Sequence, residues 1–189
     1  MITSLDLLAL THAAVLGEGR LATPPVYATA AEGRVFKPGD WPSQDGLYPL
    51  VKMRLIAEDR QSMARSGAAQ FTTAATIRIT GEVSAPAQFD DAGATVAETQ
   101  LWQLKRQIEV AIVNSYPLTA VIQQIASMRS QLSFNSEAAT HLAGVQIDLA
   151  LEFYEGAESF APVAADELDQ ITFAASRFPP VGFSSTLAP

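Results

Sequence analysis

The chain is 189 residues long, and its content of 48% hydrophobic and 17% charged residues favours a single globular domain with a sizeable core. A net charge of −8 argues against binding to nucleic acid by phosphate neutralisation, and the absence of cysteine excludes disulfides, thiolate chemistry and cysteine-based metal sites. The apolar runs are shorter than the ~18 residues of a membrane-spanning helix, and the N-terminus lacks the basic start of a signal peptide, so we expect no membrane contact.

Charge is scarce in this chain and unevenly distributed. Residues 136–189 contain eight acidic residues and one basic residue, Arg177, whereas the first 65 residues contain seven of each. An acidic run of this kind is usually a solvated face or tail. Elsewhere the surface must be covered largely by Ala, Ser, Thr and Gln, and a surface so poor in charge favours a protein that is buried in a larger assembly.

A first helix is predicted from Ser4 to Leu16, with Thr3 or Ser4 as the N-cap and Asp6 favourably placed in the first turn. We interpret His12 as a packed structural residue rather than a ligand, because no set of partner ligands is visible near it. The side predicted to face the core consists of Leu5, Leu8, Ala9, His12 and Leu16.

The stretch from residue 21 to 46 is rich in proline and glycine, so most of it should be loop. A short strand fits at Val26 to Ala28 or at Arg34 to Phe36. Trp41 lies between turn residues in this stretch, and two interpretations remain open, a side chain held at the edge of the core or one offered to a partner.

Two segments then alternate between apolar and polar residues, which predicts two strands that pair as a long antiparallel hairpin. Residues 59–70 are expected to break the first strand, with Gly67 as the pivot. The inward faces are Leu47, Pro49, Val51, Met53, Leu55 and Ala57 in the first strand, and Phe71, Thr73, Ala75, Ile77, Ile79 and Val83 in the second.

The longest amphipathic signal predicts a helix from Ala94 to Tyr116, with Thr95 and Glu98 forming a capping box at its start. At about 100° per residue its core stripe is Ala97, Leu101, Leu104, Ile108, Ala111 and Ile112. The opposite face carries Trp102, Val110 and Val113 around Arg106. Because that second face is also apolar, we expect it to be covered by the C-terminal tail or by a neighbouring subunit.

A second hairpin is predicted after a short helical turn at residues 118–125, from strands at residues 127–134 and 145–154. In the second of these strands Val145, Ile147, Leu149, Leu151 and Phe153 point inward. Asp148 and Glu152 share its outward face, where a plain hydrophilic surface explains them.

Gly156 is predicted to end the domain, so that residues 1–156 form one unit and residues 157–189 a C-terminal extension. Burying a phenylalanine stabilises a structure by roughly 1.5–3 kcal/mol, so the phenylalanines of this extension should lie on a surface, either its own subunit's or a neighbour's.

The chain lacks the usual motifs of enzymes, such as G-x-S-x-G, the P-loop and H-E-x-x-H. Asp90 and Asp91 are acidic neighbours beside Gly93, where solvated turn residues are a commoner explanation than a cation site. We therefore expect no catalytic residues, no metal and no cofactor.

The order helix, loop, strand, strand, long helix, short helix, strand, strand resembles the tail terminator proteins of long-tailed bacteriophages, the lambda-type family. The segments that carry the resemblance are SLDLLALTHAAVL, LYPLVKMRLIAED, TTAATIRITGEV, ETQLWQLKRQIEVAIVNSYPL and a closing hairpin that ends in IDLALEFYEG. They span about residues 1–156. The similarity is one of element order and residue type, without an invariant motif.

The resemblance implies an α+β fold in which a central antiparallel sheet of four or five strands, built from two long hairpins, has helices on one face, followed here by an extended C-terminal tail. It also implies a hexameric ring that caps the head-proximal end of the tail tube, ends its polymerisation and offers a surface to the head. Another neck or tail-tube component of the same virion is the alternative, and a small ligand-binding domain is a third hypothesis.

In such a ring the partners would be further copies of the chain, the tail tube protein and a head–tail connector or stopper protein, in the tail or neck of a virion assembled in the host cytoplasm. The predicted contact residues are Trp102, Arg106, Val110, Val113, Arg54, Arg78, Phe173, Phe178 and Phe183. DNA would pass through without specific binding, past an acidic wall for which Asp148, Glu152 and Glu155 are the candidates.

Overall fold

The computed structural model describes residues 2–17, 26–37, 47–63, 67, 69–137 and 140–161. Its helices and strands, in chain order, are α1 (Ser4–Leu16), β1 (Val35–Phe36), β2 (Leu50–Ser62), β3 (Phe71–Pro86), α2 (Ala92–Val113), α3 (Tyr116–Thr119), β4 (Gln124–Glu137) and β5 (Thr140–Glu155). Short 3-10 turns lie at Phe89–Asp91 and Ala157–Phe160.

The five strands form one sheet in the order β1-β2-β3-β5-β4. Strands β2 and β3 pair as an antiparallel hairpin, β4 and β5 as a second, and β3 joins the two by pairing with β5. The helices α1 and α2 pack on one face of the sheet, over β2, β3 and β5. The predicted α+β fold is confirmed, and β1 makes the sheet mixed because it runs parallel to β2.

Strict alternation explains which face of β3 and β5 meets the helices. All five residues predicted to point inward from β5 are buried, as are Thr73, Ala75, Ile77, Ile79 and Val83 of β3. The α2 helix approaches β3 closely at Gly81, where a Cβ atom would come within 3.1 Å of Val145 Cγ1 and 3.2 Å of Leu104 Cδ2. Glycine leaves the space into which these two side chains pack.

The first helix has the predicted bounds but buries a different side. Thr3 and Asp6 form a capping box, and the hydrogen bond from Thr3 lowers the pKa of Asp6. The buried residues are Ser4, Leu7, Leu8, Thr11 and Val15, whereas Leu5 is 70% exposed. The prediction was wrong because apolar residues surround this helix on every side, so its periodicity does not single out one face.

The central helix begins before the predicted start. It starts at Ala92, after Asp90 and Asp91 in left-handed backbone conformations, so Thr95 lies inside the helix and the predicted capping box does not form. The core stripe is confirmed for Ala97, Leu101, Leu104, Ile108 and Ile112, which are all buried, while Ala111 is half-buried.

The strands are longer than their alternation predicted. The β2 strand continues to Ser62, through residues expected to break it, and β4 starts at Gln124, where a helical turn was expected. The helical turn instead occupies Tyr116–Thr119. Strands β2 and β4 each contain one β-bulge. The bulge in β2 lies between Leu55 and Ala57, and the bulge in β4 lies between Ile125 and Ser127.

The chain divides after Ser159, and the second unit, Phe160–Pro189, lies almost entirely outside the described residues. Trp41 and the C-terminal residues Phe173, Phe178 and Phe183 also lie outside them. In the part of the chain that the structure describes, no helix is long and apolar enough to cross a membrane.

Candidate assembly interface

The outer stripe of α2, which we expect to be covered by the C-terminal tail or by a neighbouring subunit, is exposed among the described residues. Trp102 is 48% and Val113 54% exposed, and Val110 and Arg106 are also exposed. The Lys105 ammonium lies 5.5 Å from the centre of the Trp102 ring and also pairs with Glu109. Exposed Trp and Arg side chains of this kind often dominate the binding energy of protein interfaces.

Among the described residues, both long sides of the sheet end without a full-length neighbouring strand. On one side β4 offers 14 residues without a further strand among the described residues. On the other, β1 covers only Val51 and Lys52, so within the described ranges residues 53–62 of β2 have no strand beside them. A free strand edge presents unpaired N–H and C=O groups that another strand can bind.

The helix-side face of β4 is apolar and incompletely covered. Ile125, Met128 and Leu132 are half-buried against the edge of the core. Phe134 pairs with the buried Ala143 and lies on the same side, yet it is 57% exposed. We call these four residues the β4 strip.

The face of the sheet opposite the helices is polar and crossed by a row of charges. The row consists of Arg54, Arg78, Asp148 and Arg129, directly opposite one another on β2, β3, β5 and β4. Arg78 holds Asp148 with two hydrogen bonds of 2.8 and 3.0 Å. These bonds outweigh the effect of partial burial and lower the pKa of Asp148, with a further contribution from the charge of Arg129.

This row changes the interpretation of the predicted acidic wall. Asp148 is paired with Arg78, and Glu152 accepts a hydrogen bond from Gln124. On this face Arg54, Arg78 and Arg129 lie in one row with Asp148, and Lys52 pairs with Glu82. The face therefore carries both signs of charge and is close to neutral, and an acidic channel wall at Asp148 and Glu152 stays a prediction.

Glu155 lies on the other face of the sheet and is buried, so its assignment to the same surface as Asp148 is wrong. It accepts hydrogen bonds from Arg60, at 2.8 Å, and from the hydroxyl of Thr73. Arg60 also pairs with Glu58, to which the Ser4 hydroxyl donates. Burial alone raises the pKa of Glu155, but the bonds from Arg60 and Thr73 outweigh burial and lower it.

His12 of α1, for which we expect a structural role, contacts the backbone of β1. Its Nε2 atom lies 3.0 Å from the carbonyl oxygen of Val35, so the ring joins α1 to β1. Asp90 and Asp91 are exposed at the turn before α2. Within the described ranges no three His, Asp or Glu side chains are grouped so as to hold a metal ion.

Of the predicted contact residues, Arg54 and Arg78 lie beside each other on the face of the sheet opposite the helices. Trp102, Arg106, Val110 and Val113 lie on α2, which packs on the other face. Sequence reasoning did not single out Phe134 or Leu5 as surface residues. Both belong to apolar patterns that normally indicate core, and nothing in a pattern of alternation shows that a strand lies at the edge of its sheet.

Neither the models of known protein families nor the curated proteins yield a match to this chain. The resemblance to the tail terminator family therefore depends on element order and residue type alone, and it stays a prediction.

Proposed function

We propose that this protein is a structural component of a phage virion, a tail terminator that forms a ring on the head-proximal end of the tail tube. The observation that supports this function most directly is the pair of open sheet edges. A subunit that is open at β4 on one side and at β2 on the other has two different surfaces that identical copies can join head to tail. Repetition of one such contact closes a ring when the rotation between subunits divides a full turn.

The outer stripe of α2 supports the same function. Trp102, Val110 and Val113 are exposed on a helix whose other side is fully packed, which leaves an apolar surface for the tube, the connector or the next subunit. A ring whose two faces differ can bind the last ring of the tube with one face. Its second face does not bind a further tube ring. This difference is the mechanism by which it would end polymerisation.

The near-neutral face of the sheet suits a surface past which DNA moves without specific binding. Its arginines and carboxylates lie in cross-strand pairs and rows, so there is no extended basic patch on the described part of that face to hold phosphates. We propose that the protein contacts DNA only in passing, has no catalytic role, and resides in the neck or tail after assembly in the host cytoplasm.

Native mass spectrometry and negative-stain microscopy of the purified full chain test this function. We expect a closed ring of defined subunit number, six if the resemblance holds, that binds one end of tubes assembled from the tail tube protein of the same phage and prevents their extension. A strictly monomeric protein that leaves tube length unchanged would refute the proposal. Spontaneous growth of the chain into long tubes would instead identify a tube protein.

A further inference from the structure

Among the described residues, neither α1 nor α2 packs extensively on the β4 strip. Helices α1 and α2 lie over β2, β3 and β5. Phe134 is therefore exposed and Met128 only half-buried, on the same side of the sheet as the helices. An apolar strip beside a free strand edge needs a cover that extends beyond that edge.

The opposite edge of the sheet also carries exposed apolar residues. Leu5 is 70% exposed, and Ile56, the extra residue at the β2 bulge, is also exposed. Leu5 and His12 are two turns apart and hence on one side of α1, and His12 contacts β1, which lies beyond β2. Because Ser4 bonds to Glu58, Leu5 lies level with a part of β2 that β1 does not cover.

Strand direction permits the two edges to join in a ring. Each neighbouring pair from β2 to β4 is antiparallel, so β2 and β4 run in opposite directions. Rotation about a ring axis preserves the direction of each strand relative to that axis. The β4 of one copy and the β2 of the next are therefore antiparallel, which is the pairing that neighbouring free edges form most readily.

We infer that the β4 strip of each subunit is covered by the α1 end and β2 edge of the next copy, with Leu5 packing toward Phe134, Leu132 and Met128 and Ile56 lying at the joined edge. This inference rests on the proposed ring and names its contact. The contact is directional, since the β4 side of one copy meets the α1–β2 side of another. Both sides bury apolar side chains that the isolated subunit exposes.

Edge-blocked variants test this contact. The first is Phe134→Asp, which blocks the β4 side, and the second is the pair Leu5→Asp and Ile56→Asp, which blocks the α1–β2 side. All three positions are exposed, so the subunit should keep its fold. The matched control is Phe89→Asp, at a position 90% exposed in the turn between β3 and α2.

We expect each edge-blocked variant to be monomeric by native mass spectrometry at concentrations where the unaltered chain and the Phe89→Asp control form the ring. A 1:1 mixture of the two variants should give a heterodimer and nothing larger, because only one intact β4 side and one intact α1–β2 side remain per pair. Hydrogen exchange of the unaltered ring should show slower exchange in residues 124–137 and 53–62 than in either variant.

Three outcomes overturn the inference: rings from either variant alone, no heterodimer in the mixture, or unchanged exchange along both edges. If the unaltered chain forms a ring in these cases, the proposed function survives and only the contact is wrong. If the unaltered chain is a monomer that leaves tubes uncapped, both fail together.

Discussion

Strands β5 and β4 belong to one hairpin and are of similar length, yet they differ in what surrounds them. The inward residues of β5 are all buried, since β3 and β4 flank the strand and α2 covers it. The inward residues of β4 are half-buried or exposed, because in the part of the chain that the structure describes β5 alone flanks that strand. Alternation of apolar and polar residues therefore places the apolar side chains in the core in β5 but at the surface in β4.

The largest contrast should be seen in truncations of the two phenylalanines on these strands. Phe153→Ala removes a fully buried side chain and should lower the free energy of unfolding by about 3–5 kcal/mol. Phe134→Ala should change it by about 0.5 kcal/mol or less, because that ring is largely in solvent. Urea unfolding checks both, in the Leu5→Asp and Ile56→Asp background so that assembly does not contribute to stability.

A loss of several kcal/mol from Phe134→Ala in that background would show that Phe134 is part of the subunit's own core. The comparison between β4 and β5 would then be wrong, and so would the contact proposed for the β4 strip.

Glu155 and Asp148 extend the comparison to the two faces of β5. Glu155→Gln removes the buried charged acceptor that Arg60 and Thr73 share, and should lower the free energy of unfolding by about 1.5–3 kcal/mol. Because the pKa of Glu155 is lowered by folding, its stabilising contribution is present at neutral pH and is lost as the pH falls through the folded value, which lies below the ordinary 4.5. Urea unfolding at a series of pH values measures both effects.

The unaltered chain and Glu155→Gln should therefore approach equal stability at acidic pH and diverge as the pH rises. A constant difference across the whole range would mean that the loss comes from packing and not from the charge of Glu155.

Asp148→Asn, on the open face, is the matched variant and should have a smaller effect. The pair with Arg78 is about 30% exposed, and exposed ion pairs typically contribute up to about 1 kcal/mol. The same unfolding series at neutral and acidic pH measures it. An effect as large as that of Glu155→Gln would show that the open face is covered in solution, and would point to a partner seated on it.

The smallest expected change in subunit stability comes from Trp102→Asp. The ring of Trp102 is half exposed and its Lys105 contact lies at the surface, so the free energy of unfolding should change by about 0.5 kcal/mol or less. We expect the isolated subunit to keep its fold by circular dichroism and to lose binding to the ring or tube. Outright unfolding would mean that the stripe is part of the subunit's own core.

The parts of the fold that the sequence predicted are those where local pattern and burial agree. In β3 and β5, and in the core stripe of α2, a polar and an apolar face alternate cleanly because one face meets the core and the other meets solvent. In α1 apolar residues lie all round, so Leu5 was expected to be buried. Where the pattern shows no preferred face, the choice is made by neighbours distant in sequence, such as Glu58 beside Ser4.

Only some of the candidate surface residues could be predicted from the sequence. Trp102, Val110 and Val113 stood out because they interrupt the polar side of a helix. The role of Glu155 was missed because a residue at the end of a strand can point either way, and only pairing with Thr73 and Arg60 shows which. The edge position of β4 follows from the order of strands in the sheet, which depends on long-range pairing.

The two β-bulges act against indiscriminate aggregation. One bulge lies in β2 and the other in β4. Both are next to the position where Thr76 of β3 pairs with Ala150 of β5. A bulge bends its strand and breaks the even spacing of edge N–H and C=O groups, so a straight strand from an unrelated or misfolded chain pairs with it poorly. Free subunits should therefore resist forming fibres. The bulged β4 edge of one copy can still pair with the bulged β2 edge of another, because both edges bend.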